Sequence, residues 1–108
     1  MRQFMTTAVE QRKVFSGNLE THPMESAWAG EAIFFIKIDE VMEPGSHLNG
    51  QVQISVDGVF WVDEGTRIDD INVEGISFIR VKHFGGWLRI KGNVVGTLKL
   101  SIHLVLKE

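Results

Sequence analysis

The sequence contains no cysteine. This excludes a disulfide framework and any thiolate metal site, so an apolar core has to hold the fold. Long apolar runs are also missing. The longest, Ala32-Ile33-Phe34-Phe35-Ile36, is five residues, against the roughly 20 that a membrane-spanning helix needs. No membrane segment is expected. The N-terminal MRQFMTTAVEQRKVF has no apolar h-region, so no signal peptide is expected either. Such a protein would leave a cell by lysis or inside an assembly. Positive charge is not in excess: the formal net charge is −3 and the pI about 5.8. That balance gives no general electrostatic pull toward nucleic acid. Helical periodicity is absent as well, since no stretch holds it for three turns.

What the chain does have is period-2 alternation. In TLKLSIHLVLKE, Leu98, Leu100, Ile102, Leu104 and Leu106 point one way, and Thr97, Lys99, Ser101, His103 and Lys107 the other. Alternation of this length marks a half-buried antiparallel strand. QVQISV repeats it, with Val52, Ile54 and Val56 inward, and Leu88 and Ile90 share a face in WLRIK. Turn signals separate the runs, among them Glu43-Pro44-Gly45-Ser46, Asp57-Gly58, Gly85-Gly86, Gly92-Asn93 and Gly96. Strands are expected at about 12–16, 24–28, 31–41, 50–56, 59–62, 66–72, 76–83, 86–92 and 96–106. The pattern predicts an all-β, antiparallel, two-sheet β-sandwich, jelly-roll-like, with seven to nine short strands. The 108 residues, 44% of them apolar, fit a single domain over 1–108. Residues 1–11 show no pattern and suggest an extended N-terminal arm that orders against a neighbour.

One strand departs from simple alternation. In EAIFFIKIDEV, Ala32, Phe34, Ile36 and Ile38 form one face, yet Ile33 and Phe35 are apolar on the other. Either a loop or the arm covers that second face, or it meets another subunit.

Constellations that would carry chemistry are missing. His22, His47, His83 and His103 have no metal-ligand spacing, and each is expected at the surface. Asp63, Glu64, Asp69, Asp70 and Glu74 read as a solvated acidic edge. No serine sits in a G-x-S-x-G elbow, and neither G-x-G-x-x-G nor a Walker sequence occurs. No enzyme, no metal and no cofactor are expected. SVDGVFW at 55–61 reads as a hairpin, with Asp57-Gly58 as a two-residue turn and Phe60-Trp61 opening the return strand, one of the pair facing the core.

Four segments follow one another in order: QISVDGVFW (53–61), FIRV (78–81), GGWLRIKGNVVGT (85–97) and LKLSIHLVL (98–106). This order of a Ser-x-Asp-Gly-x-x-Trp turn, an aromatic and Arg-containing strand, then Gly-Thr and a long alternating strand resembles small β-sandwich proteins of tailed bacteriophages and prophages. The resemblance spans residues 30–106. It implies a non-enzymatic viral structural protein located in the virion and assembled in the host cytoplasm. The type implied is a capsid decoration protein or a head, neck or tail accessory protein. Its partners would be a capsid or tail protein and further copies of itself, a homo-oligomer such as a trimer, joined by many weak contacts to a repeating lattice. Expected interface residues are Phe4, Ile33, Phe35 and Trp87. A second reading is a carbohydrate-binding or host-adhesion module that would present Trp28, Trp61 and Trp87 to a glycan.

Overall fold

A computed structural model describes residues 4–83 and 85–108. The described residues form seven strands and no helix: β1 (Phe4–Glu20), β2 (Met24–Glu25), β3 (Glu31–Val41), β4 (His47–Ser55), β5 (Val62–Ile71), β6 (Gly75–Val81) and β7 (Trp87–Lys107). Every pairing is antiparallel, as the alternation predicted.

The strands make one hydrogen-bonded sheet with β7 as its spine. Its order is β5-β4-β7-β3-β6, with β1 and β2 on the opposite edge of β7. The sheet forks along β7. β4 pairs with the first half, from Ser55 opposite Trp87 to His47 opposite Val95. β3 pairs with the second half, from Val41 opposite Leu98 to Glu31 opposite Lys107. Gly96 lies between the two halves at φ +84. The two wings, β4–β5 and β3–β6, bend toward one another until β5 touches β6. In place of the two separate sheets expected of a sandwich, the described strands form one sheet curled over on itself.

The concave side is the core. Leu88, Ile90, Val94, Leu98, Leu100, Ile102, Leu104 and Leu106 are all buried, and all sit at even positions of β7. They meet Ala32, Phe34, Ile36 and Ile38 of β3, Leu48 and Val52 of β4, Ile68 of β5, and Phe15 and Leu19 of β1. Burying a side chain of this size contributes about 1.5–3 kcal/mol, so this single face supplies most of the drive to fold.

Several boundaries differ from expectation. Segments 86–92 and 96–106 are one strand, β7, because Gly92 does not turn the chain. It faces Gly50 of β4, and a Cβ there would collide with the Asn49 carbonyl oxygen. Gly92 therefore allows two strands to approach closely. Segments 59–62 and 66–72 likewise become the single strand β5 from Val62. Residues 4–11 are extended, as an arm would be, but they run as the first part of β1 along β7; residues 1–3 lie outside the described residues.

Candidate interaction surface

Residues directly opposite in an antiparallel ladder point to the same face. On β7, Val105 stands opposite Thr6 of β1 and Ile33 of β3, and His103 opposite Ala8 and Phe35. Lys107 stands opposite Phe4 and Glu31. On the far side of β3, Phe35 is opposite Phe78 and Lys37 opposite Ile76. All of these occupy the convex face, away from the core. The convex face of the β3–β6 wing thus carries an apolar strip of Phe4, Val105, Ile33, Phe35, Phe78 and Ile76. Phe4, Phe78 and Ile76 are exposed at 66%, 55% and 66%. The Phe35 and Phe78 rings pack with centroids 6.0 Å apart at 41°, an edge-tilted geometry that aromatic pairs favour. Ile33 reaches the rim of a cleft of about 280 Å³ that also holds Arg80 and Lys107.

Three of the four expected interface residues therefore lie together. Trp87 does not join them. It sits at the other end of β7, partly buried, with its indole 3.3 Å from where a Cβ on Gly58 would be. Phe78 and Ile76 were not anticipated. The signal was in ISFIRV, where Ile76 and Phe78 alternate against Ile79 and Val81, apolar on both faces as in β3.

The second exposed apolar region is the β4–β5 loop. It is longer than a two-residue turn, running from Val56 to Trp61 between Ser55 and Val62. Neither Phe60 nor Trp61 enters the core. Phe60 is 78% exposed, and the Trp61 ring lies under the Arg89 guanidinium at 4.3 Å. Arg89 also donates to Gln53 Oε1 at 2.9 Å, which accounts for the burial of Gln53, expected outward. Val56, expected inward, is exposed beside Val59, Phe60 and Val62.

A short network shapes this loop. Ser55 Oγ accepts from the amides of Asp57 and Gly58 at 3.2 and 2.8 Å. Asp57 Oδ1 accepts from Val59 N at 2.9 Å, Phe60 N at 3.0 Å and the Ser55 hydroxyl at 2.9 Å. The Val59 and Phe60 amides, then the Ser55 hydroxyl, hold the Asp57 carboxyl below its ordinary range. Asp57→Ala should leave global unfolding nearly unchanged while the Val59 and Phe60 amides exchange with solvent about tenfold faster or more. Exchange measured by NMR checks this, and unchanged exchange would show that the loop holds itself without the carboxylate.

The acidic stretch 63–74 divides. Asp69, Asp70 and Glu74 are exposed, as a solvated edge requires. Glu64 is not, because its side chain is only 1% exposed. Its Oε2 accepts from Lys82 N at 3.0 Å and His83 N at 2.9 Å, and its Oε1 from Thr66 N at 2.9 Å. A β5 carboxylate thereby ties the segment that follows β6 and joins the two wings. Among the described residues no group of three or more His, Asp or Glu is placed to hold a metal ion.

Trp28, Trp61 and Trp87 are all partly buried, and among the described residues the most exposed aromatic rings are those of Phe4, Phe60 and Phe78. No protein-family model matches the chain, and neither does any curated protein or solved structure.

Proposed function

We propose that the protein is a non-enzymatic structural component that assembles through the convex face of the β3–β6 wing. In this reading it is a virion protein, of the capsid decoration or head, neck or tail accessory type, and its curled sheet serves as the jelly-roll-like sandwich does in such proteins. The observation that carries the assembly reading is the apolar strip of Phe4, Ile33, Phe35, Phe78, Ile76 and Val105 on the convex strand face, with Phe4, Phe78 and Ile76 exposed. A folded chain leaves such a strip in water when a partner is to cover it. Lys37, Arg80 and Lys107 lie on the same face, the polar rim that surrounds the apolar centre of a protein interface. Repetition of this modest contact over a lattice would give strong retention from weak single contacts. The virion assignment rests on the resemblance of residues 30–106 to phage accessory proteins.

The test is native mass across a concentration series, for the wild type and for Phe35→Asp. The wild type is expected to form a closed oligomer. The variant is expected to be a monomer with an unchanged circular dichroism spectrum, less stable by about 1 kcal/mol through loss of the Phe35–Phe78 pair. Co-sedimentation with capsids then tests the lattice. A variant that assembles like the wild type removes this face from the proposal.

A further inference from the structure

An exposed strand edge is a template for another strand, and proteins blunt such edges with charges and bulges. Among the described residues β1 is hydrogen-bonded as a strand to β7 alone, so its other edge is open. From Glu10 to Lys13 that edge is blunted. The register shifts between Ala8 and Glu10 and again between Glu10 and Lys13, and Arg12 sits at φ 49. Glu10, Arg12 and Lys13 add charge there. The segment before it has none of these devices. Phe4-Met5-Thr6-Thr7-Ala8 is uncharged, and its register is unbroken from Lys107 to His103 of β7. It is also rich in residues that favour strands.

We infer that residues 4–8 pair antiparallel with the same segment of a second copy, so that two sheets become one across a two-fold axis. The inference rests on the assembly reading above, since a five-residue edge pairing persists only while the convex strip is covered as well. Three observations select a second copy over a foreign strand. The segment carries no charge that would choose another partner. It is complementary to itself, since an antiparallel pair centred on it sets large Phe4 beside small Ala8 of the other copy on one face. It also continues the apolar strip: Phe4, 66% exposed, would be covered at the seam, and the convex strips of the two copies would run on side by side. Pairing of this kind is isologous, with each residue at the axis facing itself.

The absence of cysteine gives a clean test. Single variants Phe4→Cys, Met5→Cys, Thr6→Cys, Thr7→Cys and Ala8→Cys are oxidised mildly, and disulfide dimers are timed. A residue on the two-fold axis faces its own copy at about 4.5–5.5 Å between Cα atoms, within the range a disulfide spans. Cross-linking is expected to peak at one position and to be several-fold slower on either side. Protection of the residue 4–8 amides of the wild type from exchange should rise with concentration, which needs no substitution. Flat or absent cross-linking in a protein that still forms oligomers overturns the inference and leaves the assembly reading standing. A closed trimer as the sole species does the same, because two-fold pairing builds even-numbered assemblies. A monomer at all concentrations overturns both.

Discussion

Gly96→Ala is expected to destabilise the protein by about 3 kcal/mol, a sum of two effects. Gly96 sits at φ +84, where a Cβ costs roughly 1–2 kcal/mol. That Cβ would also collide with Ser46 Oγ and lie 2.9 Å from Ser46 Cβ. Ser46 cannot simply retreat. Its hydroxyl donates to the Glu43 carbonyl at 2.7 Å and accepts from Thr97 N at 2.9 Å, and each such bond contributes about 0.5–1.5 kcal/mol. For a domain of this size, a loss of 3 kcal/mol lowers the melting temperature by roughly 15 °C. Urea unfolding of four proteins separates the effects: the wild type, each single variant, and Gly96→Ala with Ser46→Gly. In the Ser46→Gly background, Gly96→Ala should cost only its backbone share, roughly 1–2 kcal/mol. Equal costs in both backgrounds would show that the collision is relieved elsewhere and that Gly96 is needed for φ alone. The position matters because the sheet forks there. Beyond it β7 exchanges β4 for β3, and the convex strip begins.

Strand β7 shows what the sequence reveals and what it conceals. The inward set Leu98 to Leu106 was legible, because strict alternation leaves one face to bury. Leu88, Ile90 and Val94 have the same even parity, so a single 21-residue strand was visible in the phase of the pattern. Gly92 and Gly96 hid it. Glycine marks a turn in one setting and a close backbone approach in another, and only the neighbouring strand decides. At Gly92 the neighbour is Gly50. The curl was not legible for a similar reason. Alternation reports which residues are buried, but not whether the opposing layer is another sheet or the same one bent over.

The candidate surface was legible in part. A second apolar face on β3 pointed to Ile33 and Phe35, and the exposed face of β3 carries both. Phe4 joined them through the pairing of β1 with β7, which the unpatterned N-terminus did not signal. Trp87 has the outward phase of the alternation, but β7 is long enough to carry it to the end of the strand away from Phe4, Ile33 and Phe35. The Ser55–Asp57 loop shows a further limit. Asp57-Gly58 has the composition of a tight hairpin turn, yet hydrogen bonds to the Ser55 and Asp57 side chains stabilise a wider loop. That alternative depends on Ser55, which alternation had placed as an ordinary outward residue.

Glu64→Gln should have the second large effect, about 2–3 kcal/mol at neutral pH. The carboxylate is buried and accepts three amide hydrogen bonds. A glutamine can keep one acceptor oxygen, but its NH₂ then faces amide donors, and leaving such groups unsatisfied costs on this scale. The effect depends on pH with a definite sign. Burial pushes the Glu64 carboxyl up. The Thr66 hydroxyl and the amides of His83, Thr66 and Lys82 outweigh it and hold the carboxyl below its ordinary value. A folded-state value below the unfolded one means that the unfolded chain binds the proton more readily. The stabilisation is therefore complete above the unfolded value of about 4.3 and is lost as pH falls through the lower folded value. The segment tied by Glu64 also carries the His83 imidazole, whose Nδ1 lies 3.3 Å from Oε2. The gap between wild type and Glu64→Gln, read as urea midpoints from pH 7 to pH 3, should be constant down to about pH 5 and narrow below it. The wings should part first at this tie, so exchange of the Lys82 and His83 amides should rise ahead of global unfolding. A gap that stays constant through pH 3 would mean that Glu64 acts by shape and not by charge, and that contact between β5 and β6 closes the sheet without it.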